Sequence, residues 1–293
     1  MTAAVTTAVI PAGGLGTRFL PFTRTVPKEL LPLVDTPVLD LVVSECARSG
    51  IERVILVIGP GKESLAAYFQ PSPRLAERLE RESRNAELAS LLRPEGLVRI
   101  ETVVQQEALG NGHAVLLARH LVGDAPFAML WGDDLIVGAT PALQQMLDAR
   151  RRLGGSIAAA ARFPKAQAGR YGVFAGTAER GAFRVTGMVE KPAPDAAPSD
   201  LAAVHGYVLE PAIFEILAAQ GAGRGGEIWL SDAVAVLAQR APVWAIELEG
   251  ERYDAGDRAG YVTAFIDHAL GRPDVGPALR THLERRGWRP PPA

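Results

Sequence analysis

The sequence predicts an α/β fold, a Rossmann-like doubly wound mixed sheet flanked by helices. Three observations predict it. Two apolar runs, Ala8-Val9-Ile10 and Val54-Ile55-Leu56-Val57-Ile58, read as buried strands, the second a central parallel one by its β-branched composition. Between them, residues 38–49 place Leu39, Val42, Val43 and Cys46 at helical spacing, with Gly50 as a stop. That makes a β-loop-α-β unit, the opening of a doubly wound sheet. From residue 157 onward strand-like runs crowd together, which makes the sheet mixed.

The elements follow in order. Residues 1–7 read as a loose lead-in, and Gly59-Pro60-Gly61 ends the second strand. Residues 74–93, dense in Leu, Glu, Arg and Ala with mixed charges, predict a helical insertion lying over the sheet. Residues 98–104 alternate as a strand. A second glycine-containing turn, 108–114, leads into a helix to His120. The strand at 127–131 ends in Gly132-Asp133-Asp134, and 141–152 is helical. Strands follow at 157–162, 172–174, 183–190 and 204–209, with a proline-rich loop at 192–199. Residues 212–219 and 230–239 read as helices and 243–248 as a strand. Tyr253-Asp254-Ala255-Gly256-Asp257 is a tight turn before a helix with Tyr261, Val262, Phe265, Ile266 and Ala269 on one stripe, either core or a subunit contact. A last amphipathic helix spans 276–287, and the Pro-rich end is expected to be disordered.

The 293 residues suffice for one large α/β domain or two modest ones. With 48% hydrophobic and 22% charged residues, a substantial core is expected. Basic and acidic residues, 31 against 33, leave a net charge of −2, which argues against a surface that wraps nucleic acid. The single cysteine, Cys46, excludes an internal disulfide and fits a reducing, cytoplasmic setting. Its helical spacing puts it in the core. No apolar run approaches the roughly 20 residues needed to cross a bilayer, so no membrane attachment is expected.

The stretch that points to chemistry is Ala12-Gly13-Gly14-Leu15-Gly16-Thr17-Arg18, followed by Pro27-Lys28-Glu29-Leu30-Leu31-Pro32. A loop with almost no side chains can bring backbone N–H groups against the oxygens of a polyphosphate. Arg18 adds a planar charged fork and Lys28 a point charge. These residue types point to a nucleoside triphosphate. The Walker pattern is absent, and Phe19 stands where the dinucleotide pattern needs its third glycine.

Gly-Gly-x-Gly-Thr-Arg followed by Pro-Lys-Glu-x-Leu-Pro resembles the signature of the sugar nucleotidyltransferases, and within them the bacterial UTP–glucose-1-phosphate uridylyltransferase (UDP-glucose pyrophosphorylase) branch. The resemblance runs from about Ala8 to about Phe265 in the same motif order. It implies the nucleotidyltransferase, glycosyltransferase-A-like version of the fold. It implies an α/β domain over 1–250, with a nucleotide-binding part at about 1–135 and a sugar-phosphate part at about 136–250. Residues 251–293 would then carry a metal-site turn and C-terminal helices that could contact another subunit. By the same resemblance Ala12, Gly13, Gly14, Gly16, Thr17, Glu29, Gln105 and Gly110 contact the nucleotide. Arg18, Lys28 and Lys191 are catalytic. Gly172, Glu190 and Lys191 bind the sugar phosphate, and Asp133 and Asp254 hold Mg²⁺. Taken alone, Asp133 reads as a turn residue, Asp254 as an Asx-turn and Glu190-Lys191 as a surface pair. Asp134 is assigned a supporting role. His113 is read as capping or packing at its helix start, and Ser231 or Asp232 as a helix cap.

The implied reaction joins UTP and glucose 1-phosphate to give UDP-glucose and pyrophosphate, in a homo-oligomer (dimer or tetramer). The nucleophile is already ionised, so positioning and electrostatics do the work rather than a general base. Departures from the family pattern are Gly13, Val104 before Gln105, Gly132 before Asp133, and Arg24. They leave open a thymidylyltransferase or another sugar 1-phosphate. A Rossmann oxidoreductase is disfavoured by the missing glycine. A non-catalytic nucleotide-sugar-binding regulator is disfavoured by the retained charged set.

Overall fold

The computed structural model describes residues 3–288. Met1, Thr2 and the Pro-rich end, for which a loose lead-in and disorder were expected, lie outside them. β1 (Thr7–Ala12) enters the glycine turn, and a hairpin of β2 (Pro32–Leu33) and β3 (Thr36–Pro37) delivers the chain to α1 (Val38–Arg48). β4 (Arg53–Ile58), α2 (Ser64–Ala67), α3 (Pro73–Arg81), α4 (Asn85–Leu92) and β5 (Arg99–Val104) follow. Next come α5 (Asn111–Leu117), α6 (Arg119–Val122), β6 (Phe127–Leu130), β7 (Asp134–Val137) and α7 (Ala142–Leu153). The second half runs β8 (Ser156–Arg162), β9 (Gly172–Glu179), β10 (Ala182–Glu190), β11 (Leu201–Leu209), α8 (Ala212–Ala219) and α9 (Leu230–Arg240). It closes with β12 (Val243–Glu247), β13 (Glu251–Asp254), α10 (Arg258–Gly271) and α11 (Gly276–Arg285).

Nine strands form the main sheet in the order β5-β4-β1-β6-β11-β8-β12-β10-β9. The first four pair in parallel. β11 then runs antiparallel to both β6 and β8, so the sheet is mixed, as expected. Alternate residues of the central strands face opposite layers, which is why their sequences read as unbroken apolar runs. Ile10, Val54 and Leu56 pack with Leu39 and Val42 of α1 and Leu143 and Met146 of α7. Val9, Ile55 and Val57 pack with Val115 of α5, Phe214 of α8 and Val234 of α9. Phe127 and Phe214 stack with centroids 4.9 Å apart. Each fully buried side chain of this kind stabilises by about 1.5–3 kcal/mol. Cys46 is fully buried in the first layer.

The insertion is two helices rather than one, broken where Ser83 takes a left-handed backbone (φ 55°). It buries Leu79 but leaves Leu75 and Leu92 exposed, and the Arg93 guanidinium, 2.8 Å and 2.5 Å from the two oxygens of buried Asp40, ties its end to α1. Ser231 and Asp232 do not cap α9. They sit inside its first turn, and Asn111 Oδ1, from the start of α5, accepts the Leu230 N–H at 2.9 Å instead. Along α10 the stripe is core only in part: Ala269 is buried and Tyr261 packs on the core, while Val262, Phe265 and Ile266 are exposed. Four short strands escaped the sequence reading: the β2–β3 hairpin, and β7 and β13, which together build the site.

Candidate active site

β6 ends at Leu130, and the chain passes through Trp131, Gly132 and Asp133 before starting β7. β13 lies antiparallel to β7 with Asp254 opposite Asp134. The Ala255 N–H continues that ladder by donating to the Asp133 carbonyl (2.8 Å). Two aspartates remote in sequence therefore meet at one end of the sheet. Their carboxylates approach the same point. A methyl group at Gly256 would lie 3.2 Å from Asp254 Oδ1 and closer still to Asp133 Oδ2, so only glycine leaves the space between them open. Burial, with Asp134 and Asp133 nearby, pushes the Asp254 carboxyl above its ordinary value.

The glycine turn sits beside this pair. Arg18 donates to the Gly256 carbonyl (3.2 Å), and Arg258 donates back to the Arg18 carbonyl. Lys28 forms an ion pair with Asp133 Oδ2. Burial works against its ammonium, but Asp133, Glu29 and Asp254 outweigh it, and its pKa is raised. Across the cleft, Glu190 at the end of β10 pairs in register with Gly172 of β9. Lys191 follows with a left-handed backbone (φ 45°) and donates its N–H to the Tyr171 carbonyl. Its ammonium lies 3.5 Å from Glu190 Oε1 and 4.6 Å from the centre of the Trp229 ring.

Of the residues expected at the site, Gly14, Arg18, Lys28, Asp133, Gly172, Glu190, Lys191 and Asp254 line one cleft of about 630 Å³. Ala12, Gly13, Gly16, Thr17, Glu29, Gln105 and Gly110 do not line it. Gln105 is buried at the end of β5, its Nε2 donating to the Gly110 carbonyl (3.0 Å) and lying 3.0 Å from His113 Nδ1. His113 therefore holds the Gln105 amide rather than capping its helix. Glu29 is only 2% exposed, and its carboxylate faces Lys62.

Several site residues were missed. Arg170, just before Tyr171-Gly172, lies 3.5 Å from Asp254 Oδ2. Arg252 grips Asp134 through Nε (2.9 and 3.1 Å) and Nη2 (2.6 Å) and sits against the Phe163 and Tyr171 rings. Behind them His205, with φ 53° in a bulge of β11, gives its N–H to Asp134 Oδ2 (3.0 Å) and places Nε2 3.0 Å from Glu45 Oε1. Asp134, opposite Asp254 in the ladder and lining the same cleft, thus anchors the site to Arg252 and His205. A flag for Arg170 was present in the sequence: it stands two residues before Gly172, which the resemblance puts at the sugar phosphate. His205 carried no such sign.

The chemistry available is that of an anion cleft. Arg18, Lys28, Arg170, Lys191 and Arg252 line it together with the carboxylates of Asp133, Asp134, Glu190 and Asp254. Among the described residues no cluster of three or more His, Cys, Asp or Glu could hold a metal alone. A pair of carboxylates with an open gap suits a hard cation that takes its remaining oxygens from phosphate and water. Among the described residues no helix is long and apolar enough to cross a membrane.

The chain is similar to known proteins along nearly its whole length. The chain is 40% identical over 278 residues to the UTP–glucose-1-phosphate uridylyltransferase YngB of Bacillus subtilis (strain 168), covering 94% of each chain. A crystal structure of a UDP-glucose pyrophosphorylase complexed with UDP-glucose superposes with a TM-score of 0.82 at 34% identity, over 92% of this chain and 100% of that one. A UTP-bound UGPase from Acinetobacter baumannii gives 0.87 at 33% identity, over 96% and 99%. The model of the nucleotidyl transferase family matches residues 7–268, nearly the whole doubly wound sheet with both aspartates and both glycine turns, and the chain belongs to that family.

Proposed function

We propose that this chain transfers the uridylyl group of UTP to glucose 1-phosphate, giving UDP-glucose and pyrophosphate. The observation that carries this reading is the convergence of the glycine turn, Asp133, Asp254 and Lys191 on one cleft, in a chain whose relatives bear that activity in their names. A phosphate oxygen of the sugar phosphate attacks the α-phosphorus of UTP, and the bond from that phosphorus to the bridging oxygen breaks, releasing pyrophosphate. Both reactants are anions, so the work is alignment and charge compensation.

Arg18, Lys28 and the turn's backbone hold the triphosphate, with Ala12, Gly13, Gly14, Gly16 and Thr17 forming its bed. Lys191 draws the sugar phosphate in, while Glu190 and the Gly172 backbone take the sugar hydroxyls. Gln105 and Gly110, outside the lining of that cleft, are the residues this reading assigns to the base. Asp133 and Asp254 are the residues that would hold Mg²⁺, which supplies neutralisation of phosphate charge when bound. Arg170 adds a fourth positive group beside Asp254. A homo-oligomer, dimer or tetramer, is part of the reading, supported by the exposed Val262, Phe265 and Ile266 on α10, and so is a cytoplasmic location.

The test is a matrix of nucleoside triphosphates against sugar 1-phosphates with Mg²⁺, read by pyrophosphate release. UTP with glucose 1-phosphate should be the fastest pair. No release from that pair, or faster release with dTTP, overturns the assignment.

A further inference from the structure

Beneath the glycine turn lies Lys62. β4 ends at Ile58, the chain turns through Gly59-Pro60-Gly61, and the Lys62 side chain reaches back under the neighbouring strand's turn. Its ammonium donates to the Ala12 carbonyl (2.7 Å) and the Gly14 carbonyl (2.6 Å). The third direction goes to the Glu29 carboxylate, at 3.2 and 3.3 Å. All three of its donors are thus spent on the protein. Burial pushes its pKa down, with Glu29 opposing the shift.

The consequence follows from peptide geometry. In a planar trans peptide the C=O and N–H point to opposite sides. The Ala12 and Gly14 carbonyls face Lys62, so the N–H groups of Gly13 and Leu15, which belong to the same two peptides, face the other way. Among the described residues, no backbone N–H from Gly13 to Gly16 has a hydrogen-bond partner. Unpaired amides beside Arg18 and Lys28 form an anion-binding concavity. The supporting turn must also come close: a Cβ on Gly59 would sit 3.1 Å from the Gly13 carbonyl oxygen.

We propose that Lys62 is a positioning residue for the triphosphate: by drawing two carbonyls of the glycine turn to itself, it presents that turn's amides to the phosphate chain. The proposal rests on the reading that this turn binds a nucleoside triphosphate. Lys62 does not touch the ligand, and Glu29 becomes its counter-ion rather than a contact to the base. Because amides read phosphate and not base, the effect is uniform across nucleotides.

The experiment uses Lys62→Met, which keeps the stem and removes the donors, with Lys62→Arg as the conservative variant. Binding of inorganic tripolyphosphate is measured by calorimetry beside steady-state kinetics. In the Met variant, tripolyphosphate affinity and the KM for UTP should worsen by about 10²-fold, the usual size for a misplaced contact surface. The KM for glucose 1-phosphate should hold, the ranking of UTP, dTTP and CTP should be preserved, and arginine should restore part of the loss. Equal damage to both substrates, a changed ranking, or unaltered tripolyphosphate binding overturns the proposal. Should the Met variant fail to fold by circular dichroism, Gly59→Ala asks the same question by pushing the Gly13 carbonyl without changing charge. A wild-type protein that binds tripolyphosphate but makes no UDP-glucose defeats the proposed function alone. The variant-to-wild-type binding ratio still decides the role of Lys62.

Discussion

Replacing His205 with asparagine should destabilise the protein by about 3–5 kcal/mol, the usual cost of leaving one buried charge of a pair uncompensated. Asparagine is the substitution to use because it accepts a left-handed backbone readily, so the loss does not come from strain at φ 53°. Glu45 is 4% exposed and His205 fully buried. Glu45 Oε1 accepts from His205 Nε2 (3.0 Å) and from the Leu143 N–H (2.7 Å). Removing the imidazole leaves a buried carboxylate with the second bond only. Adding Glu45→Gln removes the charge while keeping an acceptor for Leu143. The double variant should therefore be more stable than His205→Asn alone, with about 1–3 kcal/mol of coupling.

The pH dependence has a definite sign. Burial works against the His205 cation, but Glu45 and Asp134 outweigh it and raise its pKa above the ordinary 6.5. Its stabilisation is fully present below that value and is lost as pH rises through the raised one. For Glu45, burial is outweighed by His205 and the Leu143 N–H, and its pKa falls below the ordinary 4.5. Its share is present above that value and is lost as pH falls through the lowered one. The gap between wild type and His205→Asn should be widest between the two ordinary values and narrow on either side. Urea titrations followed by circular dichroism across that range give the answer. A gap that does not vary with pH, or a double variant less stable than the single, refutes the charged pair.

Three further outcomes are expected. Gly256→Ala places a methyl group between the Asp133 and Asp254 carboxylates on a backbone any residue can adopt, so turnover should fall by about 10²-fold or more with unfolding unchanged; normal activity over a Mg²⁺ titration would disprove the shared cation. Asp254→Asn removes a carboxylate whose raised pKa marks a charge the folded state resists at neutral pH, so the metal-free protein should gain stability while losing activity, and a loss of stability in urea would contradict this. Lys191→Met keeps the stem against Trp229 and should cut kcat/KM for glucose 1-phosphate by about 10²–10³ with UTP binding intact, measured by initial rates and calorimetry.

What the sequence disclosed and what it hid divide along a physical line. The glycine turn, the Pro-Lys-Glu stretch and the acidic ends of strands are legible because the chemistry needs those residue types close together in the chain. The long apolar strands are legible because burial on both faces demands a continuous run. His205 was hidden because a strand reading of 204–209 has no place for a bulge, and its partner Glu45 lies on a helix face that periodicity marks only by its apolar members. Lys62 was hidden because a lysine beside a turn is ordinarily solvated.

The largest omission was the pairing of β7 with β13. Each strand has four residues, and Asp254 was read as part of a turn, so neither offered a pattern long enough to see. Yet the register of that ladder decides the site. With Asp254 opposite Asp134 and the Ala255 N–H on the Asp133 carbonyl, both carboxylates reach the gap over Gly256. Side chains alternate along a strand, so a slip by one residue would turn Asp254 to the other face and bring Tyr253 or Ala255 into its place. Arg252, two residues before Asp254 and so on the same face, holds that register by gripping Asp134 across the ladder. A carboxylate pair that repels itself is thus kept together by a cation one pleat away, an arrangement that only the three-dimensional pairing creates.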